Sequence, residues 1–112
     1  METTTVSHGD VTVLTVSGRL DVTTVGAFEG VLLDLIAKGR RRIIVDLAPL
    51  EYISSAGLRV LLMASKRLKP EGGRFILAAA GGLVRQVLEI SGFSGMIETC
   101  ATTEEALARS AG

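Results

Sequence analysis

Hydrophobic and polar positions alternate between two periods along this chain, and the change of period marks the elements. Thr3–Ser7 and Val11–Ser17 are rich in β-branched residues and flank His8-Gly9-Asp10, a short glycine-containing connection of the kind that closes a hairpin. Beyond Gly18-Arg19-Leu20-Asp21 the spacing becomes helical, with Val25, Phe28, Leu32, Leu35 and Ile36 on one side and Gly39 as the stop. Arg42–Leu47 reads as a buried strand. After a short loop holding Pro49, a helix is predicted over Ala56–Lys69, with Leu58, Leu61, Leu62, Ser65 and Leu68 as its inner stripe. Arg74–Ala79 is a second buried-type strand. Leu83, Val84, Val87 and Leu88 mark a third helix, ended by Gly92, and Met96–Thr99 is a short last strand. Thr102-Thr-Glu-Glu105 has capping-box spacing and opens a final helix, Glu104–Arg109.

A hairpin followed by helix–strand alternation predicts an α/β domain. Its sheet is expected to be mostly parallel and five-stranded, with an N-terminal antiparallel edge strand and four helices. No linker or repeat interrupts the pattern, so one domain over residues 1–112 is expected.

Charge and composition narrow the function by exclusion. Lys plus Arg and Asp plus Glu number 12 each, which removes the bulk electrostatic case for nucleic acid or an anionic membrane. The one basic run, Arg40-Arg41-Arg42, falls between a predicted helix end and a strand, where cations complement the helix C-terminus. Cys100 is the only cysteine, so no internal disulfide forms and a reducing compartment suits the chain. The first residues lack the basic stretch and apolar core of a signal peptide, and no apolar run approaches the roughly 18 residues of a membrane span. A cytoplasmic protein without membrane insertion is expected.

Catalytic chemistry finds little footing. A serine nucleophile needs a base within reach, and the only histidine, His8, sits in the hairpin turn. Ser-Ala-Gly is unlike the glycine-flanked nucleophile elbow. One cysteine and one histidine do not make a zinc site, and the paired glycines miss the phosphate-loop and dinucleotide spacings. Neither a metal nor a cofactor is expected, and the chain is read as a non-enzyme.

The informative segment is Asp46-Leu-Ala-Pro-Leu-Glu-Tyr-Ile-Ser-Ser-Ala-Gly-Leu58. Two hydroxyls, Ser54 and Ser55, stand where a strand-side loop becomes a helix. Serine there caps the first-turn amides. The same amides and the helix dipole favour an anion, so a phosphate added at this turn would be tolerated. On the following helix Val60, Met63, Ala64 and Arg67 are expected to fall outside the leucine stripe, which makes Val60 and Met63 candidates for an exposed contact surface.

Asp46, Leu47, Leu50, Tyr52, Ile53, Ser55, Gly57 and Leu58 resemble the signature of the STAS family, the bacterial anti-sigma factor antagonists. Gly18-Arg-Leu-Asp21 resembles a second family motif, and Ile90-Ser-Gly-Phe93 with Ile97 and Glu104–Leu107 resembles its C-terminal ending. The family's phosphorylated serine falls on Ser55. The acidic residue that usually precedes it is Ser54 here, which makes Ser54 the alternative site of modification. The resemblance implies an anti-sigma factor antagonist acting by partner switching. Its unphosphorylated form would bind an anti-sigma factor and serine kinase of the histidine-kinase-like ATPase class, phosphorylation of Ser55 would release that partner, and a serine phosphatase would reset it. The implied contact residues are Asp21, Ser54, Ser55 and Gly57, joined by Val60 and Met63 from the helix reading. The alternative is a non-switching STAS adaptor subunit in a larger assembly, such as a lipid-transport complex or a stressosome-like scaffold.

Overall fold

A computed structural model describes residues 1–111; of the expected span 1–112, Gly112 lies outside the described residues. The elements in order are β1 (Glu2–His8), β2 (Val11–Leu20), α1 (Val25–Ala37), β3 (Arg42–Asp46), β4 (Leu50–Ile53), α2 (Ser55–Leu68), β5 (Arg74–Ala78), α3 (Gly82–Ile90), β6 (Glu98–Cys100) and α4 (Thr103–Ala111). Short 3-10 turns follow α2 and α3 at Lys69–Glu71 and Phe93–Gly95.

The main sheet runs β1-β2-β3-β5-β6, the five strands expected. Only β1 is antiparallel, paired with β2 from Glu2↔Ser17 to His8↔Val11 across the turn at Gly9-Asp10. The parallel pairs follow from the helical crossovers, since strands joined through a helix return in the same direction. One strand was not expected. Leu50–Ile53, within the predicted loop, forms β4 and pairs in parallel with the far end of β2, Gly18↔Leu50 to Leu20↔Ile53. The register shifts between Gly18 and Arg19, where Gly18 has φ +81, so β2 bends there and serves two partners in succession.

Alternation along the strands sends side chains to two cores. Ile43, Val45 and Leu77 join Phe28 and Leu32 of α1, Leu61 and Leu68 of α2, and Val84 and Leu88 of α3. Ile44, Ile76 and Ala78 face the other way and meet Ala106 of α4 with Val11, Val13 and Cys100. The arginine run does more than complement α1. Arg41 pairs with Glu71 at 2.9 Å, and Arg42 donates to the Ser110 carbonyl near the end of α4. At the start of α4 half of the capping box forms: Glu105 N–H donates to Thr102 Oγ1 at 3.1 Å, while the Glu105 carboxylate pairs with Arg109.

The stripe of α2 is rotated from the one expected. Gly57, Leu58, Val60, Leu61, Ala64, Ser65 and Leu68 are buried, whereas Leu62 is half-buried. Val60, expected outside the core, is therefore a core residue at 8% exposure, and this corrects its assignment to a contact surface. Gly57, Leu61, Ala64 and Leu68 lie on one side of the helix and centre the buried stripe there, which leaves Val60 inside its edge and Leu62 at the rim. Gly57 is itself filled space: a Cβ on it would stand 2.8 Å from Ile53 Cγ1 and 3.4 Å from Leu20 Cβ. Its expected role as a contact residue is corrected to that of a close-packing residue under the site.

Candidate functional site

The extra strand builds the site. Because β4 lies beside the end of β2, the Ser54 N–H donates to the Leu20 carbonyl at 2.8 Å. The turn into α2 and the loop that begins at Asp21 are thereby held side by side. Two of the expected site segments, distant in sequence, come together at the C-terminal ends of the parallel strands.

The two serines differ in state. Ser54 is the N-cap, with extended backbone at φ −89 and ψ 171. Its Oγ accepts from Gly57 N–H at 3.3 Å, and its carbonyl accepts from Leu58 N–H at 3.0 Å. Ser55 is the first residue of α2 and is exposed, and its hydroxyl has no hydrogen-bond partner among the described residues. The amides of Ser55 and Ala56 are likewise without a protein acceptor there, as the first turn of a helix leaves them. No acidic residue occupies that turn. One hydroxyl is committed to the fold, and the other is exposed at the start of a helix whose first amides are unpaired.

Asp21 organises the neighbouring loop. Its Oδ1 accepts from Thr23 Oγ1 at 2.6 Å and Thr23 N–H at 3.0 Å. Those bonds from Thr23, followed by bonds from Thr24, hold its carboxyl below the usual aspartate range. Thr24 Oγ1 donates to the Arg19 carbonyl at 2.7 Å and accepts from Asp21 N–H at 3.0 Å, which closes the loop on itself. Arg19 lies 4.3 Å over the Tyr52 ring with its Nε 4.0 Å from Asp21, so β4 and the loop share a cation. At the tip of this loop Val22 is 79% exposed, an apolar residue the sequence reading passed over.

Met63 is half-buried, at the rim of the core, and borders a shallow groove on the outward side of α2 with Arg59, Leu62, Lys66 and Arg67. Its expected surface position holds in part, and Leu62 joins it in place of Val60. His8, on β1, pairs with Val11 at the opposite end of β2, nine residues before Leu20 and roughly 30 Å away along the strand, too far to act as a base for Ser55. Cys100 is buried, and burial pushes its thiol up. It lines a cleft of about 250 Å³ between α3 and α4, whose charged residues Arg85 and Glu105 are already paired with Glu89 and Arg109. No group of acidic, histidine or cysteine side chains among the described residues is arranged to hold a metal. Among the described residues no helix is long and apolar enough to cross a membrane.

Comparison with known proteins gives a consistent family. The family model of the STAS domain matches residues 2–106. BtrV of Bordetella bronchiseptica is 44% identical over 73 residues, a match that covers 65% of this chain and 63% of BtrV, less than two thirds of that relative's length. The anti-sigma-F factor antagonist RsfB of Mycobacterium tuberculosis is 26% identical over 104 residues, covering 93% of this chain and 84% of RsfB. Among solved structures, an anti-sigma factor antagonist from Mycobacterium paratuberculosis superposes with a TM-score of 0.92 at 27% identity, covering 99% of this chain and 94% of that one.

Proposed function

The chain belongs to the STAS domain family, and from that premise we propose that it is an anti-sigma factor antagonist that works by partner switching. In its unmodified form it binds an anti-sigma factor that is also a serine kinase of the histidine-kinase-like ATPase class. The kinase transfers a phosphoryl group to Ser55: the serine Oγ forms a bond to the γ-phosphorus of ATP, ADP leaves, and the hydroxyl proton is released. The modified chain dissociates, and a serine phosphatase restores the hydroxyl. In this reading the chain is a cytoplasmic substrate and ligand rather than an enzyme.

The observation that carries the reading is the difference between the two hydroxyls. Ser54 is engaged by Gly57 N–H, whereas Ser55 is exposed and unengaged at the first position of α2. Phosphate brings about −1.5 to −2 charges near neutral pH. The unpaired first-turn amides and the helix dipole accept that charge without refolding. A partner surface shaped around a small neutral hydroxyl does not. A loss of about 3–4 kcal/mol in binding lowers affinity roughly 100- to 1,000-fold, enough for a switch. Asp21 and the exposed Val22 beside the turn, with Met63 on α2, extend the contact surface.

The test is incubation of the purified chain with ATP and the ATPase-type anti-sigma factor encoded in its own genome, followed by intact mass and phosphopeptide mapping. One phosphoryl group on Ser55 is expected. Mapping to Ser54 overturns the assignment of the two hydroxyls. No transfer, together with binding that ignores ATP, favours the adaptor role.

A further inference from the structure

The 12 cations and 12 anions of the chain balance overall but not on α2. That helix carries Arg59, Lys66 and Arg67 and no aspartate or glutamate. None of the three joins an ion pair among the described residues, whereas Arg74, Arg85 and Arg109 are each held by a glutamate. Arg59 is exposed and stands four residues after Ser55. Residues four apart on a helix are neighbours on one side, about 6 Å along the axis. Lys66 and Arg67 are 11 and 12 residues from Ser55, about 16–18 Å along the axis, beyond a direct pair.

We propose that Arg59 is the internal receiver of a phosphate on Ser55, through a charge-assisted pair formed within α2. The proposal rests on the reading of Ser55 as the modified residue and specifies how the modification acts. Guanidinium suits this task because its planar array of donors matches phosphate oxygens. In the unmodified chain Arg59 is an unpaired cation on the outward side of α2, available to a carboxylate of the partner. Once Ser55 is phosphorylated, Arg59 turns to the phosphate. The partner then loses its counter-charge and meets an anion in the same place. One modification thus subtracts an attraction as well as adding an obstacle.

The experiment uses the full chain with phosphoserine incorporated at position 55 during translation, so neither kinase nor partner is needed. Phosphorus NMR follows the second ionisation of the phosphate, near pH 6. The helix terminus acts on the phosphate in every variant, so the comparison isolates Arg59. The chain with Arg59 should titrate about 0.2–0.4 pH unit below Arg59→Gln, roughly a twofold difference in ionisation constant. The gap should close near 1 M salt, where the screening length falls to about 3 Å. Arg59→Lys should retain part of the shift, and Arg67→Gln all of it. Coincident titrations of the parent and Arg59→Gln overturn the proposal, as does an equal effect of Arg67→Gln. Where the separate kinase assay maps the phosphate to Ser55, that result removes the role of Arg59 and leaves the switch standing. Mapping to another residue in the kinase assay removes the switch assignment whatever the titration shows.

Discussion

The division of labour between Ser54 and Ser55 makes opposite predictions for one chemical change. In Ser54→Ala the Oγ that accepts from Gly57 N–H at 3.3 Å is lost, and Gly57 is buried, so water does not readily replace it. Removing a serine N-cap costs about 0.5–2 kcal/mol. The long bond argues for the lower half, about 1 kcal/mol. In Ser55→Ala an exposed hydroxyl without a partner is removed from a helical position, and the better helix propensity of alanine contributes up to about 0.5 kcal/mol. Urea denaturation of both variants against the parent measures the difference, with unchanged slopes as the check that only stability has moved. By heating, Ser54→Ala should melt about 4–5 °C lower for a chain of this size, and Ser55→Ala at or slightly above the parent. Equal losses would mean that both hydroxyls are structural. The reverse order would mean that Ser55 is the cap, and the geometric case for its modification would fail.

Gly57→Ala should also destabilise, although alanine is worth about 1 kcal/mol more than glycine in a helix interior. The new methyl meets Ile53 Cγ1 at 2.8 Å, Ile53 is 2% exposed, and overpacking of this kind costs about 1–3 kcal/mol; a higher melting temperature for the variant would refute the close packing. Val60→Glu should fail to fold or lose several kcal/mol by burying an unpaired charge, whereas Met63→Glu should keep a native circular dichroism spectrum and lose affinity for the anti-sigma factor. Ser55→Asp should melt no lower than the parent, since an anion in the first turn is favourable, and should bind the anti-sigma factor more weakly in calorimetry. For Asp21 the folded carboxyl titrates below its unfolded value, so its contribution is present above the ordinary aspartate range and lost as pH falls through the lowered value. Asp21→Asn should flatten that part of the stability–pH curve below about pH 4, as read by urea titrations at a series of pH values.

Local patterns already contain most of the elements of this chain. Strand-type runs around Gly9, helical spacing from Val25 to Ile36, and a serine pair before Leu58 are short-range signals, and short-range signals survive without knowledge of neighbours. They extend to the site, because capping depends only on residues within one turn. Three features are not local. The four residues of β4 follow Pro49 and read as a loop, and they become a strand because β2, bent at Gly18, offers them its far end. The buried side of α2 turns by about one residue because Gly57 meets Ile53 and Leu20, a contact that exists only once β2 and β4 lie side by side. The same pairing, through the bond from Ser54 to Leu20, brings the loop of Asp21 beside the free hydroxyl of Ser55. Periodicity shows that a helix has an inside and an outside, but close packing against particular neighbours decides which residues those are, so the serine could be read from the chain and the surface around it only from the fold.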